Sequence, residues 1–214
     1  MKTTNNLTEI VCILDKSGSM AGFEKDTVGG FNATISDQKE EEGRAFLTTV
    51  FFSNSTIMIH DRIDIREVMP MTLSDYRVGG CTALLDAIGD MITHIEKIHR
   101  YSRPEDVPEH TVFVIMTDGM ENASHRYSAN EVRKMIKAKE ESGWEFIFLA
   151  ANIDAVETAS HIGIRTDRAA NFEQSDKGIS NCYEAANMAL KTVRSRNSLN
   201  DRKWRRKLDE EEET

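Results

Sequence analysis

Two short stretches of this chain set oxygen donors at spacings that can hold a metal ion. Asp15-Lys16-Ser17-Gly18-Ser19 places a carboxylate and two hydroxyls at alternate positions, and Thr117-Asp118-Gly119 adds a second carboxylate. Each follows an apolar run, so each belongs at the end of a strand. Between them, Gly79-Gly80-Cys81-Thr82 leads into a long helical segment and brings a third hydroxyl to its start. Open α/β sheets bind ligands beyond the carboxyl ends of their strands. The three loops are therefore expected to converge, with Asp15, Ser17, Ser19, Thr82 and Asp118 around one point. An all-oxygen set of modest charge suits a hard divalent cation. Mg²⁺ fits best, because it keeps several waters and rarely needs an all-protein cage, and Mn²⁺ or Ca²⁺ can substitute for it.

Each loop has a plainer reading. Asp followed by Ser and Gly is common turn chemistry, Thr82 can be the N-cap of its helix, and Asp118-Gly119 can be a simple turn. Their joint occurrence, each in the right loop, is what points to a site. Other chemistry-bearing residues carry less. The six histidines, His60, His94, His99, His110, His125 and His161, form no HxH or HExxH pair. His125, Glu121 and Asn122 lie just past the third loop, where they can shape its rim, and Lys16 reads as a rim charge. Cys12, Cys81 and Cys182 are widely spaced with no CxxC, which argues against a disulfide framework or a zinc knuckle. Cys12 and Cys81 read as buried small-residue packing, and a reducing cytoplasm is the simplest address.

The elements that must position these loops are legible as β-branched runs alternating with stretches of helical period, the pattern of crossover units in a mainly parallel sheet. The spacing predicts strands over Ile10–Leu14, Ala45–Phe52, Ile57–His60, Thr111–Thr117 and Phe146–Ala150, with a sixth near Ala169–Phe172. The first, second, fourth and fifth are continuously apolar, as strands covered on both faces should be. Ser53-Asn54 is too short for a crossover, so the third run should pair antiparallel with the second and form an edge. Leu84, Ile88, Met91, Ile95 and Ile98 put one buried face on Thr82–Arg100. Ser128 with Glu131 and Asp154 with Glu157 have capping-box spacing. Val28, Phe31 and Ile35 mark a first helix despite Gly29-Gly30 inside it. Ile179, Cys182, Tyr183, Ala186, Leu190 and Val193 mark a last one, about Asp176–Ser195.

At 214 residues, with 39% hydrophobic and 29% charged, the chain suits one large domain with its own core. Lys and Arg number 27 against 36 Asp and Glu, a formal charge of −9 that argues against a surface made for nucleic acid or anionic lipid. The apolar stretch Ile10 to Leu14 is too short for a signal-peptide core or a membrane span. Residues 1–199 are expected to form the domain, and Asn200–Thr214 a solvated, charged tail. Basic residues crowd from Lys191 to Lys207, with Trp204 among Arg202, Lys203, Arg205 and Arg206. That stretch is the one place where nucleic acid or an acidic protein could stack and pair, although Asp209 and Glu210–Glu213 can neutralise it in cis.

DKSGS matches the DxSxS signature of the von Willebrand factor type A domain, and Thr82 and Asp118 fall where that family's second and third metal loops lie. The resemblance covers about residues 8 to 195, and the order of strands and loops agrees. It implies a doubly wound, mostly parallel sheet of about six strands with one antiparallel edge strand and helices on both faces. It also implies a metal-ion-dependent adhesion site in which Ser17, Ser19 and Thr82 supply hydroxyl oxygens, while Asp15 and Asp118 act directly or through water. Bare of signal peptide, disulfides and flanking modules, the chain resembles intracellular members of bacterial or viral style.

An ion held mostly by neutral hydroxyls keeps much of its charge and an open position. The expected function is a metal-dependent protein-interaction module that takes up a Glu or Asp carboxylate of a partner, with no catalysis and no membrane contact. A hydrolase or phosphotransferase using the same ion, or a structural subunit with inert loops, are the alternatives. The enzyme reading lacks a Walker A loop, a GxSxG elbow and an aspartyl-phosphate DxD signature.

Overall fold

The computed structural model describes residues 6–195 and 199–212. Six strands, β1 (Leu7–Asp15), β2 (Arg44–Phe52), β3 (Thr56–Asp64), β4 (His110–Thr117), β5 (Trp144–Ala150) and β6 (Ala169–Asn171), form one sheet in the order β3-β2-β1-β4-β5-β6. All neighbours pair parallel except β2 and β3, which are antiparallel across a link of residues 53–55. The crossovers are α1 (Glu24–Glu40), α2 (Leu84–Tyr101), α3 (Ala129–Glu140) and α4 (Ala155–Ile162), and α5 (Asp176–Arg194) follows β6. Fold class, strand set and the antiparallel edge are as the residue pattern predicts.

The continuously apolar strands feed two cores, one on each face. Along β1, Ile10, Cys12 and Leu14 join Val28, Phe31 and Ile35 of α1 and the buried face of α5, while Val11 and Ile13 join α2, α3 and α4 on the other side. Because β side chains alternate between faces, a strand buried on both sides reads as a nearly continuous apolar run, and the polar residues it does bury, such as Glu9 of β1, need partners: Arg62 donates to Glu9 Oε2 at 2.6 Å. Gly30 is explained by the same packing, since a Cβ there would run into the Tyr183 ring where α5 lies on α1. Ser128 and Glu131 close a full capping box at α3, and Asp154 accepts the Glu157 N–H at 2.8 Å at α4.

The expected solvated tail from Asn200 onward is where the structure differs. A short helix, α6 (Arg206–Glu212), follows two 3-10 turns, Leu199–Asp201 and Lys203–Arg205, and Trp204 and Leu208 are only 3% and 1% exposed. Both join Leu199 in the α1/α5 core. The physical reason is a two-residue apolar stripe at i, i+4 spacing, hidden in sequence by the charges around it. The basic stretch is likewise put to structural use. Arg194 donates to the carbonyls of Gln38 in the last turn of α1 and of Glu41, Glu42 and Gly43 just beyond it, and Arg205 donates to the Ala169 carbonyl and pairs with Asp209 at 3.1 Å. Buried in this way, the Trp204 ring is not available to stack on a nucleic-acid base. Arg196, the first five residues and residues 213–214 lie outside the described residues.

Replacing Trp204 by Ala is expected to cost about 3 kcal/mol of stability, the usual penalty for emptying a large aromatic site. Urea unfolding measures it, and an unchanged midpoint would show that the segment is only loosely applied.

Candidate metal centre

The register of the two central strands sets the site. Leu14 lies opposite Met116, so Asp15 and Thr117 finish their strands at one level and the loops that follow leave together. Asp15 is 2% exposed. Its Oδ1 accepts the Ser17 N–H at 2.7 Å and its Oδ2 the Thr117 hydroxyl at 2.7 Å, while the Tyr76 hydroxyl donates to its carbonyl. The turn reading of Asp15 is thus correct but incomplete, because the same carboxylate also ties β1 to β4. The Ser17 and Ser19 hydroxyls stand 3.0 Å apart, and Ser19 donates to Asp118 Oδ1 at 2.6 Å. Asp118 is also 2% exposed.

The second loop is laced onto the first by backbone bonds, from Gly79 N–H to the Lys16 carbonyl at 2.8 Å and from Gly18 N–H to the Gly80 carbonyl at 3.0 Å. Gly80 has a φ of +89°, and a Cβ there would stand 2.7 Å from Asn54 Oδ1, so the close approach calls for glycine. That turn also exposes Cys81, whose N–H donates to Asn54 Oδ1. The expectation of a buried Cys81 is therefore corrected, whereas Cys12 is buried as expected.

Thr82 is not the N-cap of α2. The helix starts at Leu84, the cap position is Ala83, and the first free N–H groups go to Glu121 Oε2 (from Leu85, 2.8 Å) and Ser124 Oγ (from Asp86, 3.0 Å). The Thr82 backbone is held by Asn122, whose Oδ1 accepts its N–H at 2.9 Å and whose own N–H donates to its carbonyl at 3.0 Å. Its hydroxyl is thereby released from capping. A Cβ placed on Gly119 would lie 3.6 Å from Thr82 Oγ1 and 3.7 Å from Ser19 Oγ, so the hydroxyls of the first and second loops both face the third. Asp15, Ser17, Ser19 and Asp118 form one hydrogen-bonded group, and Thr82 borders it across Gly119.

Several contributors were not singled out from sequence. Gln174, between β6 and α5, donates to Asp118 Oδ2 at 2.8 Å and to the Ser19 carbonyl at 3.0 Å. Asn152 supports it, donating to Gln174 Oε1 at 2.7 Å and to the Asp118 carbonyl at 3.2 Å. The position of Asn152 just past β5 was a usable signal; Gln174 follows the weakest strand and had none. Of the residues expected at the rim, Lys16 reaches the Arg77 carbonyl at 3.4 Å, Glu121 is turned to the start of α2, and the His125 N–H donates to Asp86 at 3.0 Å.

Burial pushes the carboxyl groups of both Asp15 and Asp118 above their ordinary range, against the hydrogen bonds that favour their ionised forms, and Asp118 adds to the rise at Asp15. Among the described residues no cationic side chain is ion-paired with either. Two buried acids among three hydroxyls fit a hard cation, which would relieve their desolvation. No group of three or more His, Cys, Asp or Glu suited to a metal occurs among the described residues.

Solved structures share the architecture. A von Willebrand factor type A protein from Catenulispora acidiphila matches with a TM-score of 0.56 at 12% identity, over 84% of this chain and 41% of that one. The vWF domain of the type V pili tip protein Mfa5 from Porphyromonas gingivalis matches at 0.63 and 8%, over 87% and 95%. Proximal thread matrix protein 1 from the mussel byssus, in a structure with a zinc-occupied MIDAS motif, matches at 0.58 and 14%, over 87% and 46%. The chain has the von Willebrand factor type A fold, and it spans less than half the length of the Catenulispora and mussel chains. No family model and no curated protein matches it.

A carboxyl whose value is raised by folding holds its proton to higher pH in the native state than in the unfolded chain, so stability falls as pH rises through that interval. In chelator, the protein is expected to lose stability from pH ~4 upward. The loss should be smaller in Asp118→Asn. Urea midpoints across pH measure it, and identical slopes in the two proteins would contradict the burial argument.

Proposed function

We propose that this chain is a protein-interaction module in which Asp15, Ser17, Ser19, Thr82 and Asp118 hold a Mg²⁺ ion for recognition of a Glu or Asp side chain on a partner protein. The observation that carries this reading is the pair of buried carboxylates, ion-paired with no cationic side chain among the described residues and set among three hydroxyls. When bound, the ion supplies a positive acceptor for an outside carboxylate oxygen. The chain's own residues do the rest. Ser17 and Ser19 offer neutral oxygens; Thr117 and Tyr76 hold Asp15 in place, and Gln174 holds Asp118 at Oδ2, the oxygen that the Ser19 hydroxyl does not take. Ser19 is exposed, and Met120, two residues past Asp118, is 72% exposed, so the arrangement opens on a surface that a partner can reach.

Two fold relatives lend support: one is a pilus tip protein, and the other has its MIDAS motif occupied by zinc. Binding without turnover is part of the proposal. The Ser17 and Ser19 hydroxyls engage each other and a carboxylate, a weak base for making a serine nucleophile. A reducing, cytoplasmic address is also proposed, supported by three free cysteines. No helix among the described residues is long and apolar enough to cross a membrane.

The test is affinity capture from the native host with Mg²⁺, with chelator, and with Asp118→Ala bait. Proteins retained only by the unaltered bait in Mg²⁺ are expected; one set retained in all three arms would contradict the reading. Mg²⁺ should also stabilise the unaltered chain, by about 2.7 kcal/mol at a hundredfold excess over its Kd, and leave Asp118→Ala unmoved.

A further inference from the structure

Beside the candidate metal centre runs a shallow open cleft lined by Glu24, Lys25, Leu73, Tyr76, Arg77 and Val78. It is continuous with the centre through two residues. Tyr76, a buried residue at the cleft's floor, donates its hydroxyl to the Asp15 carbonyl, and the Arg77 carbonyl accepts from the Lys16 ammonium 3.4 Å away. The walls are built before any partner arrives. Asn32 clamps Met71 with two bonds of 2.8 Å, Asp75 closes the turn on Thr72 at 2.8 and 2.6 Å, and the Tyr76 ring stands edge-on to Phe51 with centroids 5.1 Å apart. A rigid groove saves the ordering cost of binding.

Its chemistry is specific. Lys16, Lys25 and Arg77 make no ion pair among the described residues, on a chain whose formal charge is −9. The acid in the cleft, Glu24, has one oxygen accepting the Gly22 N–H at 2.9 Å. Leu73 is 48% exposed and Val78 half-buried, so the same cleft offers apolar surface as well as cations.

We propose that this cleft is the second half of the docking surface, and that it takes an acidic and partly apolar stretch of the partner protein lying beside the carboxylate that the metal centre recognises. A second carboxylate meets Lys25 and Arg77, with Lys16 at the junction, and an aliphatic or aromatic side chain lies on Leu73 and Val78. The inference rests on the function proposed above and narrows its partner to a segment with two acids and one apolar residue. Exposed charge contacts of this kind act mainly on selectivity and on-rate.

The test pans a displayed library of random short peptides on the full chain in Mg²⁺ and elutes with chelator. Parallel arms use Lys25→Ala with Arg77→Ala, Leu73→Ser, and Asp118→Ala. Chelator-eluted peptides are expected to carry a second acid and an apolar residue near the first acid. They should bind the double variant roughly fivefold more weakly, as two exposed charge contacts imply, and the Leu73→Ser arm should lose the apolar preference. Peptides enriched for a single acid that bind the cleft variants as well as the unaltered chain would overturn the cleft while leaving the metal reading intact. Enrichment that ignores chelator and Asp118→Ala alike would overturn both.

Discussion

Asp15 and Asp118 are both buried, and among the described residues no cationic side chain is ion-paired with either. Desolvating a carboxylate is costly unless something positive or strongly donating compensates. The fold supplies donors, namely the Ser17 N–H and the hydroxyls of Thr117 and Ser19, together with the Gln174 amide. These donors leave both acids raised above their ordinary range. Much else follows from that unrelieved pair: glycines let the loops approach, Asn122 and Glu121 free Thr82 from capping, and the Gln174–Asn152 brace reaches in from the far side of the sheet.

The parallel sheet makes this arrangement possible. With β1 central and β4 beside it in register, two loops distant in sequence emerge side by side, and the antiparallel β3 lets the long segment before α2 turn back over the same end. Helices on both faces keep the strand ends dry, so the donors act in a low-dielectric setting where each bond counts for more. The cleft toward α1 uses that same segment, which ties any selectivity there to the residues that position Thr82.

What could be read from residue order was the part governed by periodicity and by loop position. The apolar runs of β1, β2, β4 and β5 announce two-sided burial, and the DxSxS and Thr-Asp-Gly stretches fall where strands end. Gly29-Gly30 looked like a weakness in α1 because helix propensity is local, whereas the Tyr183 ring that requires Gly30 lies over a hundred and fifty residues away. Trp204 and Leu208 were masked by the charges around them: two apolar residues are too few to declare a buried face until α5 is present to receive them. Cys81 followed a pattern of small residues but sits on a turn dictated by Asn54, a contact no spacing reveals. Gln174 was illegible for the same reason, since its partners come from loops 56 and 155 residues away in sequence.

The most direct measurement is anomalous diffraction from crystals grown with Mn²⁺, which scatters where Mg²⁺ does not. The account predicts a single strong peak bounded by the hydroxyls of Ser17, Ser19 and Thr82 and lost in Asp118→Ala crystals. Peaks confined to surface acids, with the Ser17 and Ser19 hydroxyls still bonded only to each other and to Asp118, would contradict it.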